Sequence, residues 1–100
     1  MSAPLSQKQL LRLEWIARLR SGRDKQVRFE YGDTEEGFCA VGLLHHIVVG
    51  HGVSIRDAEK VMGRCFGARM LSYIMILNDS GKTFSEIADV IEKLSKREVR

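Results

Sequence analysis

The apolar stretch from Gly37 to Val49 places the strongest constraint on how this 100-residue chain folds. Apolar residues and glycines fill it almost without interruption, whereas a half-buried strand would alternate with polar residues, so the pattern predicts a buried helix. Gly50 and Gly52 follow directly and end that helix. A chain of this length forms a single domain, residues 1–100, around one core. We expect this helix to lie at the centre of that core.

Capping signals predict where three more helices begin. Ser6 and Gln9 form a capping box for a helix from about Gln7 to Arg20, which ends before a Ser-Gly pair. Ser54 is the N-cap of a second helix, and a further capping box starts at Thr83. The segment 68–77 lies between these signals and is apolar on nearly every face, as in a core helix or a dimer seam.

One segment has the pattern of a strand. Residues Gln26 to Tyr31 alternate polar and apolar side chains and are rich in β-favouring types, which predicts a short half-buried strand. Its partner is either a stretch near Phe38 or the same strand of a second subunit. The expected fold is therefore mainly α, a single small domain of four to five helices with a short β-strand or hairpin element.

Two predicted helices carry more apolar surface than one side of a small core covers. In the helix from Gln7 to Arg20 the apolar side chains, Trp15 among them, spread over more than half of the circumference. Residues 68–77 show the same excess. Burial in the core and contact with a partner both account for it, and a homodimer would satisfy several of these features together.

Positive charge is concentrated at the start of the chain. The net charge is +3, but residues 1–30 alone hold seven basic and three acidic side chains. This polarisation suits docking onto a charged protein surface, and it also suits nucleic acid. For nucleic acid, residues 81–88 resemble the first half of a helix-turn-helix, although the second half is missing. Our prediction for the contact surface is Trp15, Arg18, Arg20, Arg23 and Arg28.

The stretch from Gly37 to His51, which includes the buried helix, holds one of the two cysteines and all three histidines. Cys39 lies near the helix start, where the helix dipole favours a thiolate, so a Cys/His thiol enzyme is an alternative. His46 lies about 10.5 Å further along the axis and His45 points about 120° away, which leaves only His51 as a base. Adjacent histidines on a helix diverge and do not share one ion. We predict no catalysis, no metal and no cofactor.

Nothing in the sequence indicates a membrane or secretory segment. The longest apolar run, residues 43–49, is interrupted by histidines and is far shorter than the roughly 20 residues of a membrane helix. The N-terminus lacks the basic and apolar regions of a signal peptide. We therefore expect a cytoplasmic protein with no membrane partner and with two free thiols.

Two motifs resemble those of a family of small phage and prophage proteins. The first is an aromatic residue and cysteine followed by a glycine-containing apolar helix, here residues 38–44. The second is a C-terminal signature, here Leu77-Asn78-Asp79, Gly81, Phe84, Glu86-Ile87-Ala88-Asp89 and Ile91-Glu92. The resemblance implies a phage origin. Because many small phage proteins bind host machinery, it also implies a module that binds and modulates a host protein, of which an anti-CRISPR-type inhibitor is one form.

Overall fold

The computed structural model describes residues 5–98 and shows, within that range, five helices and one two-stranded antiparallel hairpin. The predicted mainly α fold with a small β element is confirmed. The elements in chain order are α1 (Gln7–Arg20), β1 (Gly32–Asp33), β2 (Gly37–Phe38), α2 (Ala40–Gly50), α3 (Ile55–Phe66), α4 (Ala68–Asp79) and α5 (Phe84–Glu98).

Helix α2 is the centre of the core, as its composition predicts. Leu43, Leu44 and Val48 are completely buried. Helices α1, α3 and α4 all pack against α2, while α5 packs against α1 and α4. The helix begins at Ala40, three residues later than the apolar pattern suggests, because Gly37 and Phe38 form β2.

The predicted capping boxes set the starts of α1 and α5. The Ser6 hydroxyl accepts from the backbone N–H of Gln9 at 3.2 Å, and the Gln9 side chain accepts from the backbone N–H of Ser6 at 2.8 Å. Thr83 and Glu86 exchange the equivalent pair of bonds at 3.2 and 3.1 Å. These local bonds are why both helix starts could be read from the sequence.

The predicted strand from Gln26 to Tyr31 is wrong. The hairpin lies just beyond it, with Gly32 paired to Phe38 and Asp33 to Gly37, and only Gln26 makes an isolated parallel bridge to Phe38. The chain cannot stay extended through this segment because Phe29 adopts a positive φ of 68°.

The segment 26–29 is tied instead to the C-terminal end of α4. The Asn78 side-chain amide donates to the carbonyl of Val27 at 2.8 Å, and Arg28 Nε donates to the carbonyl of Asn78 at 3.1 Å. The backbone N–H of Phe29 donates to Asp79 Oδ1 at 2.8 Å. These bonds take the place of the hydrogen bonds that a strand would make to a neighbouring strand, and they place Phe29 beside α4.

Candidate interaction surface

Helix α4 has one buried side and one solvent side, and its solvent side is unusually apolar. Ile74 and Asn78 point into the core and are completely buried. Tyr73, Met75 and Ile76 are exposed, Ile76 to 64%. Arg69, Tyr73 and Ile76 are three or four residues apart and lie on the middle of this solvent side, whereas Met75 lies at its margin towards α3. The backbone of Phe29 is tied to the end of the same helix. We call this solvent side the α4 face, defined by Phe29, Arg69, Tyr73, Met75 and Ile76.

Phe29 is the most exposed large apolar side chain among the residues described, at 81%. It is also their one non-glycine residue with a positive φ. Left-handed backbone is unfavourable for an aromatic residue and is retained only where the surroundings impose it, often at functional sites. Here the bond to Asp79 imposes it, and an aromatic ring is displayed to solvent next to α4.

The sequence located only part of this surface. The apolar excess of residues 68–77 predicted a core helix or a dimer seam, and α4 uses one side for the core. Phe29 was missed because its neighbours alternate in polarity, which placed it in a half-buried strand. No local signal identifies it, since its exposure follows from bonds to residues about 50 positions away.

Trp15 corrects the predicted contact surface. Its side chain is completely buried, its indole N–H donates to the carbonyl of Ala40 at 2.9 Å, and its ring packs 5.4 Å from that of Phe66. Because the indole ring is packed in the core and its N–H is hydrogen-bonded there, Trp15 is not available to a partner of the folded chain.

Three of the four predicted arginines have partners within the fold. Arg18 makes a two-pronged ion pair with Asp24 at 2.7 and 3.0 Å, and that bond raises the pKa of the guanidinium. Arg20 joins α1 to α5 through two carboxylates, and Arg28 binds the end of α4. Contact of Arg18, Arg20, Arg23 and Arg28 with a partner stays a prediction, although the structure gives Arg18, Arg20 and Arg28 a role in the fold.

Cys39 is the N-cap of α2. Its sulfur accepts from the backbone N–H of Gly42 at 3.2 Å, and its own backbone N–H donates to the carbonyl of Tyr31 at 3.1 Å. Burial raises the pKa of the Cys39 thiol, and this outweighs the opposite effect of the N–H groups at the helix start. The thiol is therefore poorly suited to act as a nucleophile near neutral pH.

The three histidines face three different neighbours. His45 packs on Tyr31 and His46 on Phe38, with ring centroids 5.7 and 4.9 Å apart. His51, the one remaining candidate base, pairs with Glu14 of α1 at the opposite end of α2 from Cys39. An 11-residue helix separates the two by about 16 Å. His51 does not turn back to Cys39.

Both helix-borne histidines line one cleft beside the hairpin, together with Asp33 and Thr34. Its volume is about 330 Å³. Across residues 5–98, however, no three His, Cys, Asp or Glu side chains come close enough to hold a metal ion together. The aromatic contacts of both imidazoles give them a packing role at the edge of the core.

Over the same described part of the chain, none of the helices combines the length and hydropathy needed to cross a membrane. Comparison with known family models, curated proteins and solved structures found no match to this chain.

Proposed function

We propose that this protein is a non-catalytic protein-interaction module and that the α4 face is its contact surface. The observation that carries the proposal is Phe29, held at a positive φ and 81% exposed beside the exposed apolar side chains of α4. Aromatic and methionine side chains are enriched at protein interfaces. Backbone strain of this kind lowers stability and is found most often at functional sites, which supports a binding role for the exposed ring.

The resemblance to small phage proteins supports a host protein as the partner and modulation of that protein as the outcome. An anti-CRISPR-type inhibitor is one form of such a module. The positions of Cys39 and His51 at opposite ends of α2 favour binding over the alternative of a Cys/His enzyme.

A second copy of the chain is the other candidate partner for the α4 face, and one observation favours it. Arg69 and Asp79 lie near opposite ends of α4, ten residues or about 15 Å apart. Two α4 helices packed antiparallel about a two-fold axis at the level of residue 74 would place Arg69 opposite Asp79 of the second copy, with Tyr73 and Ile76 between them. An isologous dimer needs this kind of self-complementarity.

Paired substitutions test the proposal. Ile76→Glu puts a charge at the centre of the α4 face, while Leu13→Glu makes the same kind of change on α1, where Leu13 is 57% exposed. We expect both variants to fold, because neither side chain is buried. The tagged full chain should capture a protein from bacterial lysate that Leu13→Glu also captures and Ile76→Glu does not.

Light scattering on the purified chain then distinguishes a second copy from a host protein as the partner that covers the α4 face. A dimer that Ile76→Glu converts to a monomer means that a second copy covers the α4 face. A monomer that captures a host protein in an Ile76-dependent way means that the host protein does. A monomer whose captured proteins are the same for the wild type and Ile76→Glu would contradict the proposal.

A further inference from the structure

Helices α2 and α3 are joined by a turn of four residues, 51–54. Gly52 in this turn has a φ of 92°, a conformation that glycine adopts without strain. Ser54 then caps α3, and its hydroxyl accepts from the backbone N–H of Asp57 at 3.2 Å. A three- or four-residue turn that contains glycine is the connection found in helix-turn-helix motifs.

The packing around this turn gives α2 and α3 a fixed relative position. Ile47 and Val48 of α2 and Ala58 and Val61 of α3 belong to one buried cluster, and Val53 of the turn packs against it. Helix α1 contacts both α2 and α3 and so helps to fix their relative position. One side of α3 is left facing solvent along its whole length.

That solvent-facing side of α3 is basic. Arg56, Lys60 and Arg64 are spaced four residues apart, so they lie on one face of the helix, and all three are exposed. The acidic residues Asp57 and Glu59 lie at its margins. Lys60 Nζ is 4.0 Å from Asp57 Oδ1 in a pair whose side chains are 79% and 57% exposed, so a phosphate can readily replace this contact.

We propose that α2, the turn and α3 bind double-stranded DNA as a helix-turn-helix, with the Arg56, Lys60 and Arg64 face of α3 in the major groove. The major groove is wide enough to admit an α-helix. In this motif the N-terminal residues of the second helix approach the bases, and Arg56 is the exposed basic residue in the first turn of α3. An arginine that donates two hydrogen bonds to guanine is the commonest specific base contact.

This site differs from the nucleic-acid sites expected from the sequence. The arginines of α1 that suggested a basic patch are engaged in part within the fold, and residues 81–88 lead into one continuous helix, α5. From the sequence, Gly52 indicated only the end of the buried helix. The proposal does not depend on the α4 face, which lies on a different helix.

Fluorescence anisotropy with a labelled mixed-sequence DNA duplex and the full chain tests the proposal at low salt. We expect binding that weakens as salt rises, because phosphate contacts release counterions. Lys60→Ala should lower the slope of that salt dependence by about one unit, and Arg56→Ala should weaken binding about tenfold. Lys93→Ala, which removes the same charge from exposed α5, is the control and should change neither.

Equal losses of duplex affinity in Lys60→Ala and Lys93→Ala, or no loss in Arg56→Ala, would overturn the proposal. Equal binding of single-stranded DNA or poly-glutamate would do the same, because it would mark α3 as a general site for acidic polymers or acidic proteins.

Discussion

Asn78 Oδ1 accepts a hydrogen bond at 3.1 Å from the backbone N–H of Ala40, the first residue of α2. The carbonyl of the same Ala40 accepts from Trp15 Nε1 at 2.9 Å. Side chains from α4 and α1 thus bind both polar groups of one buried residue. Asn78 also holds Val27, so the start of the central helix and the segment that displays Phe29 depend on one amide.

Substitution of Asn78 should therefore lower stability strongly. In Asn78→Ala the N–H of Ala40 and the carbonyl of Val27 both lose their side-chain partner, so we expect the free energy of unfolding to fall by about 2–4 kcal/mol. Asn78→Asp keeps an acceptor for Ala40 but cannot donate to Val27, and it should also be destabilised. Urea denaturation measures both. Losses below about 0.5 kcal/mol in both variants would show that the amide does not have this role.

Gly42→Ala should destabilise the protein although alanine is the better helix former. A Cβ at Gly42 would collide with the carbonyl of Tyr31, the group to which Cys39 donates. We expect a loss of about 1–3 kcal/mol, as for other overpacked sites.

Gly50→Ala is the matched control in the same helix, because a Cβ there meets nothing within 4 Å. It should be neutral or stabilising by up to about 1 kcal/mol. Thermal melts of the two variants decide the matter, and a stabilised Gly42→Ala would be inconsistent with the observed approach of Tyr31.

The Cys39 thiol should react slowly in the native state. Burial raises its pKa above the ordinary value of 9.0, so little thiolate is present near neutral pH. We expect thiol reagents to label Cys39 far more slowly in buffer than in urea, with the site identified by mass spectrometry. Rapid labelling in buffer, together with loss of an activity in Cys39→Ser, would instead support the thiol enzyme.

The same shift makes stability depend on alkaline pH. Because the native pKa of Cys39 is raised, the unfolded chain loses this proton first, so the free energy of unfolding should fall as pH rises past 9.0. The pKa of Tyr31 is also raised by burial, so the free energy of unfolding should fall further as the pH rises above 10.0. Denaturation series in wild type and Cys39→Ser should show a smaller decrease in the variant. Constant stability across this range would refute the expectation.

Phe29→Asn tests whether the strained residue is kept for binding. Asparagine tolerates a positive φ better than phenylalanine does, and Phe29 is 81% exposed, so little packing is lost. We expect stability that is unchanged or higher by up to about 1 kcal/mol, together with weaker partner capture. A large loss of stability would show that the ring supports the fold.

The helices could be predicted because their signals are local. Ser6 with Gln9 and Thr83 with Glu86 lie three residues apart, and α2 is apolar over its whole length. The Cys39 and Gly42 motif is explained by structure: the sulfur caps the helix, and the missing side chain admits the carbonyl of Tyr31.

The segment 26–31 could not be predicted because its conformation depends on distant residues. Its alternating side chains fit a strand, but Asn78 and Asp79, about 50 residues later, hold it in another shape. The burial of Trp15 and the ion pairs of α1 with α5 could not be predicted for the same reason, because they too depend on distant residues. An aromatic residue in a basic helix suits a contact surface as well as a core, and only packing against Ala40 and Phe66 distinguishes the two.

Site-specific photo-crosslinking in bacterial cells tests directly whether the α4 face contacts another protein. A photoreactive amino acid is placed at position 76 on the α4 face, and in a separate chain at position 13 on α1. We expect a discrete covalent adduct to a protein from position 76, either a second copy or a host protein, and none of that mass from position 13. Absence of an adduct from position 76, or the same adduct from both positions, would contradict it.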